Sequence, residues 1–189
     1  MAKEHQIQES IEVILKENQD LVPTLSNEAK ENFIRSIQNA KAIFFAAQGR
    51  AGFILRCFCM RLMHLGFQVY FCGETITPAI ADGDLLIIMS GSGETASTLE
   101  AVKSGKEHQA TTYGILGNLD SKIAALVDNS IHIPGTTKLQ RNNEPDSLQM
   151  AGSLFEQIAF FFLEAVVLEI YLQRKKDIGS MSSRHAVIE

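Results

Sequence analysis

The chain has 189 residues, enough for one domain with a sizeable core. Apolar residues make up 46% and charged residues 21%, which excludes the polar, charge-rich composition of a disordered chain. The net charge of −5, with scattered Lys and Arg, excludes the dense basic footprint of a nucleic-acid binder; Arg174-Lys175-Lys176 is too short to reverse this.

The opening Met-Ala-Lys-Glu-His-Gln has no apolar core of the kind a signal peptide needs, so a cytoplasmic protein is expected. Helices are predicted at about Gln6–Gln19 and Asn27–Asn39, with Ser26 as N-cap of the second. Short apolar runs then alternate with helical stretches. The runs are Ala42–Ala47, Gln68–Cys72, Leu85–Met89, Thr112–Leu116 and Ser130–Ile133; the intervening helices are about Ala51–Leu65, Thr95–Glu107 and Ser121–Leu126. A long polar loop, Pro134–Asp146, leads to a final helix at about Ser147–Arg174. Its apolar stretch, Ile158–Ile170, is broken by Glu164 and Glu169 and is too short to span a bilayer. Cys57, Cys59 and Cys72 lie in apolar surroundings and read as buried free thiols of a reducing compartment.

Continuous apolar strands separated by helices predict an α/β fold, a parallel sheet covered on both faces. The expected organisation is a single domain over residues 1–189, with the sheet core at about 41–133. In such sheets ligands bind beyond the carboxyl ends of the strands. The turns at Gly49, Gly73 and Gly91 all follow strands, so all three fall on that edge.

The turn Ser90-Gly91-Ser92-Gly93-Glu94-Thr95 carries the strongest signal, lying between a buried strand and a helix. Free backbone N–H groups and the helix dipole favour an anion there, glycines let the backbone approach it, and hydroxyls add hydrogen bonds to phosphate oxygens. No lysine lies in the motif, so it is not a P-loop, and a phosphate carried by a small molecule is expected. The alternative is a tight turn with a helix cap. The histidines form no metal-ligand spacing; His64 and His132 read as packing residues.

Several segments together resemble the sugar isomerase (SIS) domain proteins, and within them the 6-phospho-3-hexuloisomerase family. They are Gly49-Arg50-Ala51-Gly52, Met60 to Phe67, Gly73 to Ile80, Gly83-Asp84-Leu85, Ser90 to Thr95, Gly152 to Gln157 and the tail Arg184 to Glu189. The resemblance implies a three-layer sandwich with a five-stranded parallel sheet, flavodoxin-like, assembled as a homotetramer with the active site at a subunit interface. It also implies interconversion of D-arabino-3-hexulose 6-phosphate and fructose 6-phosphate, in the ribulose monophosphate route that fixes formaldehyde. No metal, organic cofactor, nucleic acid or membrane is expected. Other phosphosugar isomerisation, or a non-catalytic phosphosugar-binding regulator, stands as the alternative. Ala51 departs from the Ser usual in that family, and Met150-Ala151 from its Pro-Met.

Shifting a carbonyl between C3 and C2 needs a base, a means of stabilising an enediolate and a grip on the distant phosphate. Glu156 is the candidate base. At helical spacing it has Gly152, Ala159, Phe160 and Leu163 as neighbours, apolar surroundings that tend to make a carboxylate more basic. The alternative is a helix carboxylate paired with an arginine at an interface. The resemblance also nominates His185, as proton shuttle or oxyanion partner brought in from a neighbouring subunit; the bland alternative is a histidine in a loose tail. Gly49, Arg50, Ser90, Gly91, Ser92, Gly93 and Thr95 are expected to bind substrate, an intersubunit salt bridge being the alternative for Arg50, with Glu74 and Thr75 recognising sugar hydroxyls or serving only as turn residues.

Overall fold

The computed structural model describes residues 7–137 and 144–174. Two helices come first, α1 (Ile7–Leu21) and α2 (Asn27–Asn39), joined through one turn of 3-10 helix at Val22–Thr24. The sheet follows as β1 (Ile43–Ala47), α3 (Gly49–His64), β2 (Val69–Phe71), β3 (Leu85–Ser90), α4 (Ala96–Glu107), β4 (Thr111–Leu116) and β5 (Asn129–His132). Helix α5 (Ser153–Arg174) closes the described chain. The five strands are all parallel, in the order β2-β1-β3-β4-β5, which is the doubly wound arrangement expected.

The three central strands are buried along nearly their whole length, which is why they read as unbroken apolar runs. Alternate side chains serve opposite faces. Phe45, Ile87, Tyr113 and Ile131 join the core under α2, α3 and α5; Phe44, Leu86, Ile88 and Leu116 join the smaller core under α4. Phe33 of α2 ties the larger core together, its ring 4.7 Å from Tyr113 and 5.8 Å from Phe162 of α5. Tyr113 keeps a polar outlet by donating from its hydroxyl to the Ala29 carbonyl (3.2 Å), and burial pushes its phenol up to about 12.

Ser26 caps α2, accepting the Ala29 N–H at 3.2 Å. Residues 121–126 form turns rather than the expected short helix. The Ile123 N–H goes to the Gly93 carbonyl (3.1 Å), the Ala124 N–H to the Ser121 hydroxyl (3.3 Å) and the Ala125 N–H to the Ser121 carbonyl (3.0 Å), so the segment closes on itself in turns. The last helix starts at Ser153, not near Ser147, because Gly152 takes a left-handed backbone (φ 91°) that interrupts any helix running into it. The thiols are free, as expected, but Cys57 is exposed: α3 turns it away from the core that takes Leu55 and Phe58. Burial pushes the partly buried Cys59 thiol up to about 12, and the Glu74 charge adds to this. Among the described residues no helix is long and apolar enough to cross a membrane.

Candidate functional site

The chain leaves β1 for β2 on one side, then crosses to β3 on the other. Strands β1 and β3 are therefore neighbours whose connections run apart, and the crevice at their carboxyl ends is the natural ligand position of this topology. Gln48–Ala51 leave β1 there, and Ser90–Thr95 leave β3 there. Between them lies a cavity of about 310 Å³.

The floor is built from backbone turns. Gly49 takes φ 60° at the start of α3, and Gly52 lies so close to β1 that a methyl there would be 3.1 Å from the Ala47 carbonyl oxygen. The Ser90 hydroxyl accepts the Gly93 N–H (3.0 Å) and lies 3.3 Å from the Thr95 hydroxyl; the Ser92 hydroxyl accepts the Glu94 N–H (3.2 Å). Thr95 is the N-cap residue of α4, yet its side chain makes no capping bond. The positive end of α4 is thus directed at a hydroxyl-lined turn, the arrangement that binds anions. Glu94 points elsewhere, accepting the Lys122 N–H (3.1 Å) and pairing with its ammonium (2.9 Å). Asn118 donates to the Ser92 carbonyl (3.3 Å), and Gly93 packs against Ser121, so the β4–β5 connection buttresses the turn from behind.

Helix α5 supplies the remaining wall. A methyl on Gly91 would meet the Phe155 ring at 3.2 Å and one on Gly117 would meet it at 3.1 Å, so the ring sits against both bare backbones. That seating brings the next residue, Glu156, into the cavity beside the anion turn. Its side chain is 14% exposed and accepts from Nε of Arg50 at 2.7 Å, whereas the Arg50 side chain is 65% exposed. The arginine partner, not apolar surroundings alone, is what the carboxylate meets; it was foreseen as the non-catalytic alternative at an interface and is here supplied within one chain. Glu156 and Arg50 stand as a carboxylate and a guanidinium across the cavity mouth: a proton acceptor and a cation to which a substrate oxygen can turn.

The residues read from sequence divide cleanly by position. Gly49, Arg50, Ser90, Gly91, Ser92, Thr95 and Glu156 all line this cavity, while Gly93 shapes its turn at φ 68° without lining it. Glu74 and Thr75 do not line it. Glu74 pairs with Arg56, whose guanidinium lies 3.8 Å over the Phe71 ring, and it borders a separate, more apolar groove along α3 and β2. His185 lies outside the described residues. Of the histidines read as packing residues, His64 is buried, whereas His132 is exposed, with Nε2 3.2 Å from the Gly117 carbonyl oxygen.

Sequence reading passed over Gln48, Thr136 and Thr137, which also line the cavity. The available signal was a pair of hydroxyls just beyond the fifth strand, on the same edge as the glycine turns. No cluster of three or more His, Cys, Asp or Glu positioned for a metal occurs among the described residues.

The whole is a parallel α/β unit with a hydroxyl-lined turn at a helix N-terminus and a paired carboxylate at its switch point. The sequence pattern of the SIS domain family matches residues 36–150, and the chain belongs to that family. It is 36% identical over 181 residues to the 3-hexulose-6-phosphate isomerase of Bacillus subtilis, covering 96% of this chain and 98% of that one. Identity to the 3-hexulose-6-phosphate isomerase of Mycobacterium gastri is 34% over 183 residues, 97% of this chain and 92% of that one. A crystal structure from Methanococcus jannaschii, described as inferring a molecular function of 3-hexulose-6-phosphate isomerase, matches with a TM-score of 0.82. Its identity is 33%, over 96% of this chain and 99% of that chain.

Proposed function

We propose that this chain is a single-domain phosphoketose isomerase interconverting D-arabino-3-hexulose 6-phosphate and fructose 6-phosphate. One observation carries the reading: the Glu156–Arg50 pair and the Ser90–Thr95 turn line the same cavity. The chemistry needs both parts, a base at the reacting carbons and a distant grip on the phosphate. The similarity to 3-hexulose-6-phosphate isomerases over nearly the full chain supports the choice of substrate.

The phosphate sits on the hydroxyls of Ser90, Ser92 and Thr95 and the N-terminus of α4, so its binding energy positions the carbon chain. Starting from open-chain fructose 6-phosphate, Glu156 takes the proton from C3, leaving an enediolate across C2 and C3. The proton returns to C2 while the hydroxyl proton passes from O3 to O2, which moves the carbonyl to C3. The Arg50 guanidinium stabilises the oxyanion as it develops. His185, from a neighbouring subunit of a homotetramer, relays the oxygen-bound proton. The enzyme works in the cytoplasm.

The test is turnover of fructose 6-phosphate coupled to a hexulose phosphate synthase, which cleaves the product and releases formaldehyde. Formaldehyde release dependent on this chain is the expected result. Phosphosugar binding without any product would point to a different substrate or to a regulator.

A further inference from the structure

We infer that Gln48 is a further phosphate contact of this cavity, its carboxamide Nε2 donating to the anion held by the Ser90–Thr95 turn. The inference rests on the phosphosugar reading of that turn. Gln48, Gly49, Arg50 and Ala51, which leave β1, all line the cavity. Gly49 brings no side chain, Ala51 brings no hydroxyl, and the Arg50 guanidinium is engaged by Glu156. Gln48 is thus the polar side chain that the end of β1 leaves for a ligand. It is exposed, and among the described residues its carboxamide makes no hydrogen bond.

The strand register fixes the face on which it stands. Phe44 and Ala46 of β1 join the core under α4, as do Leu86 and Ile88 of β3. Alternation puts Gln48 and Ser90 on that same face. The backbone at Gln48 is still extended (φ −122°, ψ 159°), so the alternation carries through it. Ala47 pairs with Met89, and one step further along Gln48 comes abreast of Ser90. The Ser90 hydroxyl in turn accepts the Gly93 N–H (3.0 Å) and lies 3.3 Å from the Thr95 hydroxyl, at the start of α4. Phe155, which seats Glu156, belongs to the core on the opposite face. Position therefore gives Gln48 to the phosphate rather than to the reacting carbons.

Gln48 and Thr95 are alike in a second respect. Gln48 is the N-cap residue of α3 as Thr95 is of α4, and neither side chain makes a capping bond. Both line the cavity, so both polar groups are left to a ligand lying between the two helix starts. A carboxamide offers two N–H donors to phosphate oxygens, and being neutral it leaves the positive potential to Arg50 and the helix ends.

The probe is inorganic phosphate, its binding measured by calorimetry on the whole chain. Gln48→Ala should raise the dissociation constant about tenfold. Gln48→Glu sets a negative charge beside the anion and should raise it further. Gln48→Lys keeps a donor, adds a positive charge and should bind at least as tightly as wild type. The ligand-free Gln48→Ala variant should melt with wild type, since the side chain is exposed and makes no internal bond. Unchanged phosphate binding in the alanine variant overturns the inference. So does a glutamate variant no weaker than alanine, a lysine variant no tighter than alanine, or wild type without measurable phosphate binding. A lower melting point of ligand-free Gln48→Ala overturns it too, by giving the side chain a role in the fold. Weaker binding of fructose 6-phosphate at unchanged phosphate binding would move the contact to the carbon chain, again against the inference. Phosphate binding is read without turnover, so a wild type lacking isomerase activity would refute the function proposed above and leave this test standing.

Discussion

Gly135→Ala is the sharpest perturbation of the link between fold and site. The added methyl would lie 2.5 Å from the Phe155 Cα and 2.9 Å from its Cβ. Unbonded carbons rest about 3.5–4.0 Å apart, so the start of α5 or the Gly135 segment must give way by about 1 Å. Neither is free to do so. Phe155 is wedged against Gly91 and Gly117, and Thr137 beyond Gly135 is tied to Glu144. Overpacking of this kind costs about 1–3 kcal/mol. Because Glu156 follows Phe155 directly, the same shift displaces the proposed base, and a misplacement of about 1 Å can cost about 100-fold in rate. Urea denaturation should give a lower midpoint at unchanged slope, and steady-state assay a kcat lower by about two orders of magnitude. A variant with wild-type midpoint and kcat would refute the packing argument. A lower midpoint with full kcat would separate the position of Glu156 from this contact.

Two further perturbations follow from the same geometry. Ala51 lines the cavity, so adding a hydroxyl there by Ala51→Ser should tighten inhibition by inorganic phosphate, by about tenfold at most; an unchanged inhibition constant would place position 51 outside the anion's reach. Glu17 of α1 accepts from the Ser147 hydroxyl (2.6 Å), the Leu148 N–H (2.9 Å) and the Gln149 amide (2.9 Å), anchoring the segment that leads into α5. Burial pushes its carboxyl up, but these hydrogen bonds outweigh it and hold it below the usual carboxylate value. A lowered folded-state value means that the stabilisation is present above the unfolded value and disappears as pH falls through the folded one. The melting temperature of wild type should accordingly fall more steeply below about pH 4.5 than that of Glu17→Gln, and parallel acid profiles would contradict the anchor.

The sheet was legible because its central strands are buried on both faces, which leaves continuous apolar runs in the sequence. The anion turn was legible for a local reason: strand, small hydroxyls, glycine and helix follow one another within a few residues. Glu156 could be singled out on its helix, but its partner could not be fixed, since Arg50 is about a hundred residues away and meets it only when α3 and α5 share the β1–β3 crevice. Thr136 and Thr137 were marked only by their place just beyond the fifth strand, since the shape of that stretch is set by Phe155 and Glu144 rather than by its own residues. The later start of α5 had a local mark, Gly152, which lies inside the span expected for that helix and takes a left-handed backbone. The short helix expected at Ser121–Leu126 is reduced to turns.

The claim that Glu156 is the base is tested most directly by Glu156→Gln, which keeps the shape of the side chain and removes its ability to take a proton. Turnover of fructose 6-phosphate in the coupled assay and its calorimetric binding should be measured on the same preparation. The proposed mechanism requires turnover to fall by about 10²–10⁴-fold while binding stays within a few-fold of wild type. Near-wild-type turnover in the glutamine variant would contradict it and move the base to another residue.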